Sequence, residues 1–281
     1  MSSLSPNPLA KHFRQPALYI KLPSHGRWYP EGEIDISATN EIPVYPMTAR
    51  DEIMMKTPDA LMNGASTTQV IKSCCPSIKN PENMPIVDLD AVLLGIRLAT
   101  YGPEMEFTTA CPHCNTKAEK ALNVSILLDK IVSGDWTYPI KYNGLEITLK
   151  PQTYKDFNDN NLMNFDEQRL LQVMQNDTMD EDEKVKKFDE MFAKLVATGI
   201  SQVSKNIASI KTAEGVIVDN PDFIREFLDN CEKGVWNAIK ERLDAIRREN
   251  NYNEIALTCE NEQCGKDFIA PFVFEQSNFF V

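Results

Sequence analysis

The chain has 281 residues, 42% of them hydrophobic and 25% charged, which is the composition of a soluble globular protein with enough apolar mass for a real core and room for two parts. Its net charge of -12 argues against a nucleic-acid surface, where Lys and Arg must neutralise phosphates, and tilts the partner towards protein. No stretch approaches the roughly 20 apolar residues of a membrane span, the opening Met1-Ser2-Ser3-Leu4-Ser5-Pro6 lacks a signal-peptide pattern, and seven cysteines without an export signal suggest a reducing compartment.

Residues 1–16 read as an extended arm, interrupted by Pro6, Pro8 and Pro16 and made locally basic by Lys11, His12 and Arg14, which is either a floppy tail, the commoner case, or an arm that lies on a partner. Ala17–Leu22 reads as a strand ended by Pro23, with a turn at Ser24–Arg27 and a return strand opening at Trp28-Tyr29. Glu33–Ile36 alternates as a half-buried strand does, and Glu41–Pro46 is extended with prolines marking an edge. Thr48, followed by Asp51 and Glu52, predicts a helix N-terminus. Thr57-Pro58-Asp59 predicts a second short helix ending at Asn63-Gly64, and Ser66 or Thr67 a third, running to Cys74-Cys75 before Pro76. Asp88-Leu89-Asp90 opens the strongest helix of this half, with Leu89, Val92, Leu93, Ile96 and Ala99 on one face and a stop at Gly102-Pro103.

Glu106–Ala110 then runs as a strand into Cys111-Pro112-His113-Cys114, and Lys120–Val124 runs out. Ser125–Val132 reads as a short helix, and Pro139–Leu149 as a hairpin turning on Asn143-Gly144. From about 152 to 250 the pattern is helical: Asp166–Met174, a helix from Asp180 through Phe188, Phe192 and Val196 that residues 199–204 prolong, one from Asn220-Pro221-Asp222, and one carrying Val235, Ile239, Leu243 and Ile246 to Arg247-Arg248. Ile210–Val218 reads as a small hairpin around Glu214-Gly215. Ile255–Thr258 leads into Cys259-Glu260-Asn261-Glu262-Gln263-Cys264, and Asp267–Ala270 leads out.

Each cysteine pair is too short to close a metal site alone. Together Cys111, Cys114, Cys259 and Cys264 supply the four thiolates of a structural zinc, and strand, knuckle and strand, twice over, is the pattern of a zinc ribbon. Such an ion would be structural, because four protein ligands leave no position open for substrate. The bland alternative is reduced thiols or a disulfide pair. The fold class that follows is α+β: a β-rich body bearing the ribbon, residues 17–150 plus 251–281, with residues 151–250 as an inserted helical lobe. Cys74, Cys75 and Cys231 read as core thiols, and His113 as solvent-facing. The acidic run Asp177–Glu183 lacks the glycine and distal glutamate of a calcium loop and reads as a solvated helix start. No phosphate loop, dinucleotide glycine pattern, His-Glu-x-x-His or nucleophile elbow occurs; that absence does not exclude an enzyme but leaves no catalytic residue to nominate, and the expectation is a non-enzyme.

Whole phrases of the N-terminal half carry a family resemblance. Arg14–Pro23 with Gly26-Arg27-Trp28-Tyr29, Pro43–Thr48, Thr57–Leu61, Val70–Cys74, and Leu89–Arg97 leading to Tyr101-Gly102 and the first knuckle resemble the T4-type baseplate proteins of contractile-tailed phages, over about residues 8–130. The second knuckle is similar to that of the family's zinc-bearing members. The resemblance implies a structural or assembly role in the baseplate hub, with other baseplate and hub proteins as partners; the acidic charge and the lack of an apolar span argue against nucleic acid and membrane as targets. It implies assembly in the host cytoplasm, a place in the tail of the virion or a chaperone's transient one, and a symmetric oligomer if tail symmetry is followed. The competing reading is a zinc-ribbon nucleic-acid-binding or transcription adaptor.

Overall fold

The structure is a computed structural model that describes residues 7–56, 64–174, 181–249 and 254–271. It is an α+β fold, as the patterning predicts, built from small antiparallel sheets and helices around two hydrophobic clusters. The predicted helix after Thr57 and the aromatic C-terminal residues 272–281 lie outside the described residues. So does the acidic run before Glu181, the residue at which a helix begins.

The first cluster gathers around helix α3 (Leu89–Tyr101). Strand β1 (Leu18–Lys21) pairs antiparallel with β2 (Glu41–Val44), placing Ile20 opposite Ile42 and both side chains in the core. Gly95 lets α3 approach this sheet closely, since a Cβ there would stand 3.0 Å from Ile20 Cγ2. Leu89, Val92, Leu93 and Ile96 are buried against it, each contributing about 1.5–3 kcal/mol. Helix α1 (Ala49–Met55) starts where Thr48 predicts. Thr48 Oγ1 accepts from the Asp51 amide while the Asp51 carboxylate accepts from the Thr48 amide, a reciprocal capping box. Helix α2 (Ala65–Cys74) follows Gly64, and its end buries Cys74 and Cys75 in the core, as expected.

The return strands in this half do not form as the alternation predicts. Trp28 takes a left-handed turn conformation (φ 68°), and of the Glu33–Ile36 segment only Ile34 makes a bridge, to Ile78. The alternation there reflects side chains lying on the core beside a loop, without a neighbouring strand to pair with. The arm is turned inward at Arg14. Its guanidinium donates to the Pro46 and Ser73 carbonyls and to Ser73 Oγ, and it lies 3.5 Å from the Asp51 carboxylate.

The second cluster packs a four-stranded antiparallel sheet against helices. Its order is β5 (Ile140–Tyr142), β6 (Leu145–Leu149), β7 (Ile207–Lys211), β8 (Ile217–Val218). Both predicted hairpins are present, and β6 joins them by pairing with β7. Helices α7 (Pro221–Asn230) and α8 (Lys233–Glu249) bury Ile224, Leu228, Val235, Ile239, Leu243 and Ile246 on this cluster. The helix expected from Ser125 to Val132 is only the short α4 (Ser125–Leu128). Helix α5 (Tyr154–Met174) starts well before the predicted Asp166, because Thr153 and Asp156 form a second capping box. Its first residue, Tyr154, is buried in the first cluster, which anchors the helix there. Helix α6 (Glu181–Lys205) includes the predicted prolongation. Trp28, from the N-terminal half of the chain, packs on the second cluster through an edge-to-face contact with Trp136, centroids 6.2 Å apart.

Candidate metal centre

The centre is built by two hairpins whose strands are short and whose turns carry the cysteines. Strand β3 (Glu104–Ala110) pairs with β4 (Lys117–Asn123), and β9 (Glu254–Thr258) with β10 (Asp267–Pro271). In each hairpin the first cysteine follows the last residue of the incoming strand. The Cys111 amide donates to the Thr116 carbonyl and the Cys259 amide to the Lys266 carbonyl, both at 3.0 Å, which closes each knuckle. In each, the residue after the second cysteine is left-handed: Asn115 at φ 57° and Gly265 at φ 54°. Asn and Gly are the residues that adopt this conformation at least cost, and it reverses the chain so that both sulfurs point inward.

The four sulfurs of Cys111, Cys114, Cys259 and Cys264 lie within 4.8 Å of one another. Cys111 Sγ is 3.9 Å from Cys264 Sγ, and Cys114 Sγ is 3.6 Å from Cys259 Sγ. A tetrahedron with zinc–sulfur bonds of about 2.3 Å has sulfur–sulfur edges of about 3.8 Å. A disulfide needs about 2.05 Å, so these are four separate thiols arranged at the spacing of a tetrathiolate. Cys111 and Cys259 are buried and Cys114 is exposed, so the group sits at the surface with its inner edge covered. His113 faces solvent, as expected.

The ionisation of these thiols is shifted in opposite directions. Hydrogen bonding from the Thr116 side chain and then its amide holds Cys114 down at about 6. At Cys259 the Asn261 amide pulls the same way, but burial and the neighbouring thiols push the group up to about 12. Close sulfurs share their ionisation, so one gives up its proton easily and the next resists. A bound cation removes that conflict, because thiolate ligands are deprotonated outright. The donor set, four sulfurs and no oxygen or imidazole, suits zinc and a closed structural site.

Two further contacts tie the knuckles together. Asn261 Nδ2 donates to Thr116 Oγ1 at 3.1 Å, and the Lys120 ammonium pairs with the Glu260 carboxylate. The first hairpin is in turn fixed to α3: Arg97, buried, donates to the Gly102 carbonyl at 3.2 Å and the Glu104 carbonyl at 3.0 Å. Met105, Leu122 and Ile255 rest on the first cluster. The sequence names all four cysteines. It does not single out Thr116, Asn261 or Arg97, although Thr116 and Asn261 stand within three residues of a cysteine.

Among the described residues no helix is long and apolar enough to cross a membrane. No curated protein and no solved structure matches the chain. The family model described as T4 bacteriophage base plate protein matches residues 20–281. That match spans nearly the whole chain, beyond the phrases of the N-terminal half and through both cysteine knuckles, and the chain belongs to the T4 bacteriophage base plate protein family.

Proposed function

We propose that the chain is a structural or assembly protein of the hub region of a contractile-tail baseplate, and that Cys111, Cys114, Cys259 and Cys264 hold a structural zinc. The observation that carries this reading is the meeting of four sulfurs within 4.8 Å from knuckles far apart in a baseplate-family chain. The ion fastens β9–β10 to β3–β4 and so closes the chain on itself. The segment between Cys114 and Cys259 then has its two ends at the metal, the body, residues 17–150 with 251–281, carries residues 151–250 as an insertion, and the arm 1–16 and the C-terminus face neighbouring chains. The role is non-catalytic: a closed tetrathiolate offers no position to substrate. Partners are other baseplate and hub proteins, met in the host cytoplasm during assembly, with a symmetric oligomer following from tail symmetry. The charge of -12 disfavours DNA or RNA as a target.

Quantitative mass spectrometry of purified mature particles tests the role. A small integer copy number per particle identifies a resident subunit. Absence from particles, with hub proteins co-purifying from infected cells, identifies an assembly chaperone. Absence from both overturns the reading.

A further inference from the structure

The two-stranded sheet β1–β2 leaves one edge of β1 without a strand neighbour among the described residues. An open groove of about 680 Å³ runs along that edge. Tyr19 and Lys21 point to solvent while Ile20 and Leu22 point into the core, yet all four line the groove. Successive strand residues alternate faces, so a groove that touches both sets lies against the strand's edge, the side on which a further strand would pair. β1 is four residues long, about 13 Å at roughly 3.3 Å per residue, which matches a short added strand. The opposite wall is the end of α4 and the segment after it, with Leu128, Ile131 and Val132 as its apolar part.

The charge of the lining is one-sided. Glu41, Asp129, Asp135 and Glu249 all border the groove, against Lys21 as its one Lys or Arg. Asp135 and Glu249 share Arg242, at 3.7 and 3.6 Å. No ion pair among the described residues engages Glu41 or Asp129; Glu41 accepts one hydrogen bond, from Thr39 Oγ1 at 3.1 Å, and both carboxylates border the groove with charge to offer an incoming cation. The chain's own C-terminal residues 272–281 carry no Lys or Arg and so lack the complement.

We propose that this groove receives an extended segment of another protein chain, bearing Lys or Arg, added as a strand to the outer edge of β1. Main-chain pairing supplies the affinity and the acidic rim selects the segment, the division of labour usual in strand addition. The inference goes beyond the baseplate reading, since the groove's geometry and charge stand whatever the assembly.

The test uses the full-length, isotope-labelled protein and three probes: the capped hexapeptide (Lys-Val)3, its (Glu-Val)3 counterpart, and a (Lys-Val)3 peptide N-methylated on alternate residues along its pairing edge. Amide shifts are followed by NMR. The expected result is that the basic peptide shifts Leu18–Leu22 and Leu128–Asp135, and that the acidic and N-methylated peptides bind at least tenfold more weakly. In the Glu41→Lys/Asp129→Lys variant the preference between acidic and basic peptides reverses. Absence of binding, equal affinity for the N-methylated peptide, or shifts confined to other surfaces overturns the proposal. The three probes decide the matter on the unmodified protein even if the double variant fails to fold.

Discussion

Helix α3 and the ribbon β3–β4 are separated by a single turn at Gly102, and different forces hold them. The helix buries Leu89 through Arg97 almost without a break, and its neighbours in the first cluster come from residues scattered between Ile20 and Tyr154. The ribbon alternates exposed and half-buried positions along both strands, and neither β3 nor β4 contains a fully buried residue. The partner ribbon is similar, with Ala270 its one buried strand residue among those described. An isolated two-stranded hairpin is marginal in water. Two such hairpins therefore need a staple that does not depend on area, and the thiolate cluster lies where their turns meet. On the reading proposed above, burial holds the core and ligation the ribbons, which makes the two separately breakable.

The largest expected effect follows from breaking the ligation. Structural zinc sites in small domains contribute about 10–16 kcal/mol of apparent binding energy, which on that reading goes into closing the ribbons. Chelation, or the Cys111→Ser/Cys259→Ser double variant, is predicted to release β9–β10 while α3 stays folded. Circular dichroism would keep its helical signal as proteolysis begins near residues 254–271. Breaking the core instead should invert the outcome. Leu93→Ala removes a wholly buried side chain and is predicted to cost about 2–5 kcal/mol in thermal or urea unfolding, while zinc stoichiometry in the surviving folded protein is unchanged.

A smaller effect separates the regions by pH. Asp88 is wholly buried beneath the first cluster and accepts from the Ser24 amide at 2.7 Å and from Tyr29 Oη at 2.9 Å. Burial outweighs these donors and pushes its carboxyl up to about 6 from an ordinary 3.8. Folding therefore takes up a proton between these values. The stability Asp88 contributes is complete below about pH 3.8 and is lost as pH rises through about 6. Asp88→Asn should flatten that slope, by on the order of 1–3 kcal/mol between pH 4 and 7. The thiolate site moves the opposite way, since protons compete with metal and loading falls as pH drops. The smallest effect is expected at the surface: Lys79 and Asp35 pair at 2.9 Å but both are exposed, so Asp35→Asn should change stability by less than about 0.5 kcal/mol.

What the sequence reveals depends on the range over which each feature is encoded. The knuckles are legible across 144 intervening residues because metal chemistry demands four sulfurs and each half supplies two. Thr48 and Asp51, Asn143-Gly144 and Asn220-Pro221 are legible because the interactions they specify close within four residues. The start of α5 is encoded in the same local way, since Thr153 and Asp156 repeat the Thr48–Asp51 spacing. The pairing of β6 with β7, which unites two hairpins into one sheet, has no local signature, since it is decided by the burial of Ile147 and Ile210 against helices that arrive later in the chain. Glu33–Ile36 shows the converse. Its alternation is real, but a strand also needs a neighbour with free main-chain groups, and Ile34 finds one bridge. Arg97 and Arg14 were invisible as organisers because their partners are carbonyls, which every residue carries.

The most direct test of the account is metal analysis combined with hydrogen exchange on the intact protein. Native mass spectrometry is predicted to find one zinc per chain. Amides of residues 104–123 and 254–271 should be protected in that form and exchange rapidly after chelation, while those of Leu89–Tyr101 keep their protection. A chain that purifies without metal, or ribbons whose protection survives its removal, would contradict the claim that ligation holds them.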